Sequence, residues 1–151
     1  MKRDIPILIA EDDSLDVKNI KRSFADNRVL NPLYFVGNGE EALAFLRGEP
    51  PYDGPARAPQ PGLILLDLNM PRLSGLEFLS LYKADPALRH IPAVILTTSD
   101  EETDLARSYE IGIAGYIVKP IEFASLVDVI RTFDLYWSIC EIANEQRARK
   151  G

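Results

Sequence analysis

Leu63-Ile64-Leu65-Leu66-Asp67-Leu68-Asn69-Met70-Pro71 is the stretch that decides the fold. Four aliphatic residues run straight into a carboxylate, and a turn closed by proline follows. The run is too short for a buried helix and shows no polar alternation. It therefore reads as a strand covered on both faces, the kind that parallel sheets use. The same pattern recurs along the chain: Ile5–Ala10 runs into Glu11-Asp12-Asp13, Ala93–Leu96 into Thr97-Thr98, and Tyr116–Val118 into Lys119-Pro120. In an open parallel sheet the ligand site lies outside the carboxyl ends of the strands. One edge would thus gather the acids Glu11, Asp12 and Asp67, the hydroxyls of Thr97 and Thr98, and the Lys119 ammonium. That set suits a divalent cation and a phosphoryl group.

The segments between these runs read as helices. Ser14 is placed to cap a helix over Leu15–Ala25, with Val17, Ile20, Lys21 and Phe24 at helical spacing. Asn31-Pro32 breaks the chain before a short strand, Leu33–Val36. Gly37-Asn38-Gly39 is turn chemistry ahead of a short helix, Glu40–Leu46, with Ala42, Leu43 and Leu46 inward. Glu49–Gly62 is rich in proline and reads as a surface loop. Ser74 caps a helix bearing Leu76, Leu79, Leu81 and Tyr82. Asp100 caps a helix over Glu101–Glu110, closed by Gly112. Gly115–Val118 is the fifth strand, and a last, extended helix starts after Pro120. Strands alternating with helices predict a doubly wound α/β fold: a five-stranded parallel sheet in the order 2-1-3-4-5, with helices on both faces.

Length and composition fit this picture. The chain has 151 residues, enough for one α/β domain with a substantial core. Net charge is −6, and the only basic run is Arg147-Ala148-Arg149-Lys150, so no basic face for nucleic acid is expected. No apolar stretch approaches the roughly 20 residues of a membrane helix, and Lys2 and Arg3 precede too short an apolar segment for a secretory signal. Cys140 is the single cysteine, which excludes an internal disulfide. These features point to a cytoplasmic protein.

Three adjacent acids at a strand end would by themselves read as a solvated turn. Asp67 changes that reading, because it leaves a buried strand, where an unpaired carboxylate is costly. Hard oxygen ligands on two neighbouring strands suit Mg²⁺, which binds through one or two carboxylates and keeps several waters. Lys119 supplies positive charge from the opposite side, and Pro120 fixes the turn that aims it.

Taken together, Ile7-Leu8-Ile9-Ala10-Glu11-Asp12, Leu65 through Pro71 with Ser74-Gly75-Leu76-Glu77, Ile95-Leu96-Thr97-Thr98-Ser99, and Gly115-Tyr116-Ile117-Val118-Lys119-Pro120 resemble, in this order, the receiver domain of response regulators. The resemblance covers nearly the whole chain and implies the flavodoxin-like fold of the CheY-like receivers. The proline-rich loop, the Leu-Thr-Thr-Ser segment and the aromatic C-terminal extension are similar to stand-alone regulators paired with phytochromes. By this resemblance Asp67 is the phosphoacceptor, served by a sensor histidine kinase and, more narrowly, a bacteriophytochrome. Asp12 and Asp67 would bind Mg²⁺ through their side chains, Glu11 through water and Asn69 through its backbone carbonyl. Lys119 would pair with a phosphoryl oxygen. Thr97 would swing its hydroxyl onto the phosphoryl group, Tyr116 would change rotamer with it, and Thr98 would narrow access to it.

Other features are plainer. Asp13 reads as a solvated loop acid, His90 as a surface loop residue, and Cys140 as a small apolar residue on the last helix. An apolar stripe of Phe123, Leu126, Val127, Ile130, Phe133 and Trp137 outruns the sheet that could cover it. It predicts a homodimer, with a receiver domain over 1–134 and a helical extension over 135–151. Two other functions compete with the signalling switch. An aspartate-nucleophile phosphatase needs a second acid two residues after the nucleophile, where Asn69 stands. A constitutive docking module has no use for a complete acidic pocket.

Overall fold

The computed structural model describes residues 5–26, 29–49, 59–97, 102–119, 128 and 131–132. Its strands are β1 (Ile7–Ala10), β2 (Leu33–Val36), β3 (Leu63–Asp67), β4 (Ala93–Thr97) and β5 (Gly115–Val118). The helices between them are α1 (Ser14–Asp26), α2 (Gly39–Arg47), α3 (Gly75–Lys83) and α4 (Glu102–Ile111). All four strand pairings are parallel, in the expected order β2-β1-β3-β4-β5.

The unbroken apolar runs follow from this burial. Successive side chains of a strand point to opposite faces, and both faces here are covered. Ile7, Ile9, Leu63, Leu65, Val94, Leu96 and Ile117 pack on one side with Ile20 and Phe24 of α1. Leu8, Ala10, Ile64, Leu66, Ala93 and Ile95 pack on the other with Phe45 of α2 and with Phe78, Leu79 and Tyr82 of α3. The register fixes the functional edge. Ala10 lies beside Leu66, Asp67 beside Leu96, and Thr97 beside Val118, so the strands finish nearly level.

Local signals set the helix ends. The Asn38 side chain accepts from Glu41 N–H at 2.8 Å and caps α2, which ends at Gly48 with φ 65°. Ser74 and Glu77 form a reciprocal capping box on α3. In two helices the buried side chains differ from the expected ones. Leu81 is 44% exposed, because it lies about 200° around α3 from the buried Leu79. The expected Leu79 and Tyr82 are buried, and Gly75 and Phe78 complete that face. In α2 the deeply buried residues are Ala42, Ala44 and Phe45, while Leu43 and Leu46 are only partly covered. Asp13, not Ser14, caps α1: its Oδ1 accepts from Leu15 N–H at 2.9 Å and from Asp16 N–H at 3.1 Å. Asp13 is exposed, as expected, and the capping role is added to that.

Two anchors position the loops around the functional edge. The segment before β4 is pinned by Tyr82 and Lys83, which donate to the Ile91 carbonyl at 3.0 Å each. The turn after β3 is held by backbone: Gly75 N–H donates to Leu68 O at 3.1 Å, and Gly39 N–H donates to Leu73 O at 2.9 Å. His90 is exposed, as expected. The Asp100 cap, residues 50–58 of the proline-rich loop, Cys140, most of the helix expected after Pro120 and the extension over 135–151 lie outside the described residues.

A Cβ at Gly75 would collide with the Asp67 carbonyl oxygen and the Leu68 Cα, both backbone atoms with no room to yield. Gly75→Ala should therefore destabilise the protein by about 2–3 kcal/mol, seen as an earlier midpoint in urea unfolding. An unchanged midpoint would mean that this approach is looser than described.

Candidate functional site

Glu11 continues β1 by one residue, donating its N–H to Val36 O at 3.0 Å. The register of β1 and β3 brings it alongside Asp67. Both carboxylates are buried, Glu11 at 2% exposure and Asp67 at 4%. Lys119 arrives from the end of β5. Its Nζ stands 2.9 Å from Glu11 Oε2, 3.0 Å from Asp16 Oδ2 and 3.3 Å from Asp67 Oδ2. An ammonium has three protons, and each has a carboxylate to face.

The outer lone pairs are held by backbone. Asp67 Oδ1 accepts from Asn69 N–H, and Glu11 Oε1 accepts from Asp13 N–H, each at 3.1 Å. Glu11 Oε2 meets the Lys119 ammonium at 2.9 Å. Burial pushes the Glu11 carboxyl up, to about 7. Lys119 and the Asp13 N–H pull the other way, and the neighbouring Asp67 adds to the rise. Burial also works against a charged Lys119, yet Glu11, Asp16 and Asp67 together hold it protonated above its ordinary range.

Carboxylate oxygens of Glu11, Asp12 and Asp67 all lie within 4.8 Å of one another, with Asp12 exposed on the open side. Three hard anionic ligands converging at one strand edge, two of them on buried residues, fit a divalent cation. The expected Glu11, Asp12, Asp67 and Lys119 are thus brought together. Thr97 ends β4 next to this edge. Tyr116 is 48% exposed and meets Tyr109 edge-on, with ring centroids 6.3 Å apart. Asn69 contributes its N–H to Asp67, as above. The side chain of Thr97, and Thr98, Phe123, Val127, Ile130, Phe133 and Trp137, lie outside what is described. Asp16 was not anticipated. Its signal was present, since an acid on the first turn of a helix that leaves the functional edge faces back toward that edge.

This geometry, a buried carboxylate at a strand end facing an acidic pair and a lysine, agrees with the sequence comparison. The family model for the response regulator receiver domain matches residues 7–131. The chain belongs to that family. This receiver is 34% identical over 131 residues to response regulator Rcp1 of Synechocystis sp., covering 87% of either chain. It superposes on the bacteriophytochrome response regulator RtBRR with a TM-score of 0.76 and 38% identity, over 85% of this chain and 76% of that one. The phosphorylated cyanobacterial phytochrome response regulator RcpA gives a TM-score of 0.73 and 36% identity, over 89% and 94%. A Mn²⁺-bound form of Rcp1 is also similar, at 33% identity and a TM-score of 0.72, over 88% and 94%. The receiver acts in two-component phosphorelay signalling, and its likeness to phytochrome-associated regulators supports a sensor kinase as partner.

The raised Glu11 carboxyl has a consequence for metal-free stability. The unfolded group ionises near 4.5 and the folded one near 7, so between those values the native state keeps the proton longer. Stability from Glu11 is thus complete below about pH 4.5 and is lost as pH rises toward 7. Glu11→Gln has no proton to lose. Thermal melts without metal should show the variant gaining on the parent from pH 5 to pH 7.5. Parallel pH profiles for the two would refute the assignment.

Proposed function

We propose that Asp67 accepts a phosphoryl group from the histidine of a sensor kinase, and that the receiver then switches its affinity for partners. The observation that carries this reading is Asp67 itself, 4% exposed at the end of β3 and facing the Lys119 ammonium at 3.3 Å. A buried carboxylate so placed is an oriented nucleophile rather than a solubilising charge. An Asp67 oxygen would bond to phosphorus as the bond from phosphorus to the donor imidazole nitrogen breaks, and the imidazole leaves with a proton. Asp12 and Asp67 would hold Mg²⁺ through their side chains, Glu11 through water and Asn69 through its carbonyl. Bound Mg²⁺ would neutralise charge on the equatorial oxygens in transfer. Lys119 would take a phosphoryl oxygen, which a charge-assisted bond suits. Thr97 and Tyr116 would report the modified state, with Thr98 flanking the access. Asn69 lacks the proton that a phosphatase of the aspartate-nucleophile class needs from this position, which favours a switch over an enzyme.

Support for the finer partner, a bacteriophytochrome kinase, comes from the regulators that this chain resembles. We also propose a homodimer through Phe123, Val127, Ile130, Phe133 and Trp137, with residues 135–151 as a helical extension beyond a receiver domain over 1–134. Exposed Tyr109, Tyr116 and Val118 on α4 and on the edge strand β5 support an interface on this side. Among the described residues no helix is long and apolar enough to cross a membrane. With a net charge of −6, this favours a cytoplasmic protein that engages neither lipid nor nucleic acid.

Incubation with a small phosphodonor and Mg²⁺ should add one phosphoryl group to the parent protein and none to Asp67→Asn, as read by intact mass. Equal labelling of the two would remove Asp67 from this role.

Trp137→Glu should convert the dimer to monomers while Asp67 still labels, because a buried unpaired charge is costly at an interface. Sedimentation at tens of micromolar checks this, and a monomeric parent would end the dimer proposal.

A further inference from the structure

Asp16 differs from the other acids at this edge. With Asp13 as the cap, Asp16 falls on the first turn of α1, its own N–H bonded to Asp13 Oδ1 at 3.1 Å. The start of a helix favours an ionised carboxylate. That carboxylate turns to Lys119 Nζ at 3.0 Å and is largely covered, at 15% side-chain exposure. It does not belong to the group whose oxygens converge, which is Glu11, Asp12 and Asp67.

Lys119 touches two members of that group, Glu11 and Asp67. A divalent cation drawn to the same oxygens meets a like charge already seated beside them, and the repulsion is strong where water is excluded. Among the described residues, Asp16 is the carboxylate on Lys119 that a cation at this group would leave alone. It also approaches from α1 rather than from a strand end.

We infer that Asp16 is a positioning residue: it draws the Lys119 ammonium to the wall of the pocket, leaving Glu11 and Asp67 available to a divalent cation while keeping Lys119 within reach of a phosphoryl group on Asp67. The inference rests on the roles proposed above for Asp67 and Lys119. Without Asp16, the ammonium has only Glu11 and Asp67 to neutralise it, and it competes with the cation for both.

Calorimetric titration of the full chain with Mg²⁺ alone tests this in the parent, Asp16→Asn, Asp16→Glu, Lys119→Met and the double variant Asp16→Asn/Lys119→Met. Asp16→Asn should weaken Mg²⁺ binding about tenfold, at the low end of what outer partners of metal ligands do. In the Lys119→Met background the same change should cost less than about twofold, since only a screened field remains. Asp16→Glu keeps a charge near Nζ and should stay within about threefold of the parent. It also guards against a folding defect in the asparagine variant. A role confined to the helix start would lower the melting temperature and leave Mg²⁺ affinity alone, which would overturn the inference. So would equal losses of affinity with and without Lys119. A parent that binds no Mg²⁺ and takes no phosphoryl group would overturn the functional reading first and this inference with it.

Discussion

Glu11 and Asp67 are carboxylates almost without water, and the ammonium of Lys119 stands between them. Burying either acid unpaired would be costly, and so would burying the ammonium. Each therefore depends on the others being delivered to the same point. Three strands make that delivery: β1 ends just before Glu11, β3 at Asp67, and β5 just before Lys119. The parallel register, with both faces of the sheet covered, makes those endings level. The fold can thus be viewed as a device for bringing charges from distant parts of the chain to one dry edge.

That balance remains incomplete without a metal. The edge carries Glu11, Asp12, Asp16 and Asp67 against Lys119, an excess of negative charge that the backbone donors at Asp13 and Asn69 soften but do not cancel. The rise of the Glu11 carboxyl comes chiefly from burial, to which the neighbouring Asp67 adds. A divalent cation offsets part of that excess, whereas a phosphoryl group on Asp67 would add to it, so the modified state needs the cation more than the unmodified one does.

The runs Ile7–Ala10, Leu63–Leu66 and Ala93–Leu96 were legible because burial on both faces leaves no polar residue in them, and a carboxylate directly after such a run is conspicuous. Sheet order followed from the alternation of elements. The site was legible to the same depth, since Glu11, Asp12, Asp67 and Lys119 each adjoin a strand end. Helix faces were less so: Leu81 and Phe78 differ little in hydropathy, and only the sheet beneath α3 selects Phe78. Asp13 and Asp16 were harder for another reason. Within the run Glu11-Asp12-Asp13-Ser14-Leu15-Asp16 the chain turns from strand to helix, and a shift of one residue in the cap reassigns every acid after it. Ser14 is as good a cap as Asp13 by type, and the register of the turn, not composition, chose between them.

The turn after Asp67 meets α3 at Gly75 and α2 at Gly39 through main-chain atoms in close contact, with an exposed Arg72–Glu40 ion pair beside them. Side-chain couplings slacken as rotamers change, whereas peptide groups in contact have no such slack. A rearrangement that begins at Asp67 would therefore be felt by α2, which packs on β1 and β2 at the opposite side of the sheet from β5. A spin label on the exposed Arg47 side of α2 would then serve as a passive gauge of the pocket's state, without touching a single residue that takes part in its chemistry.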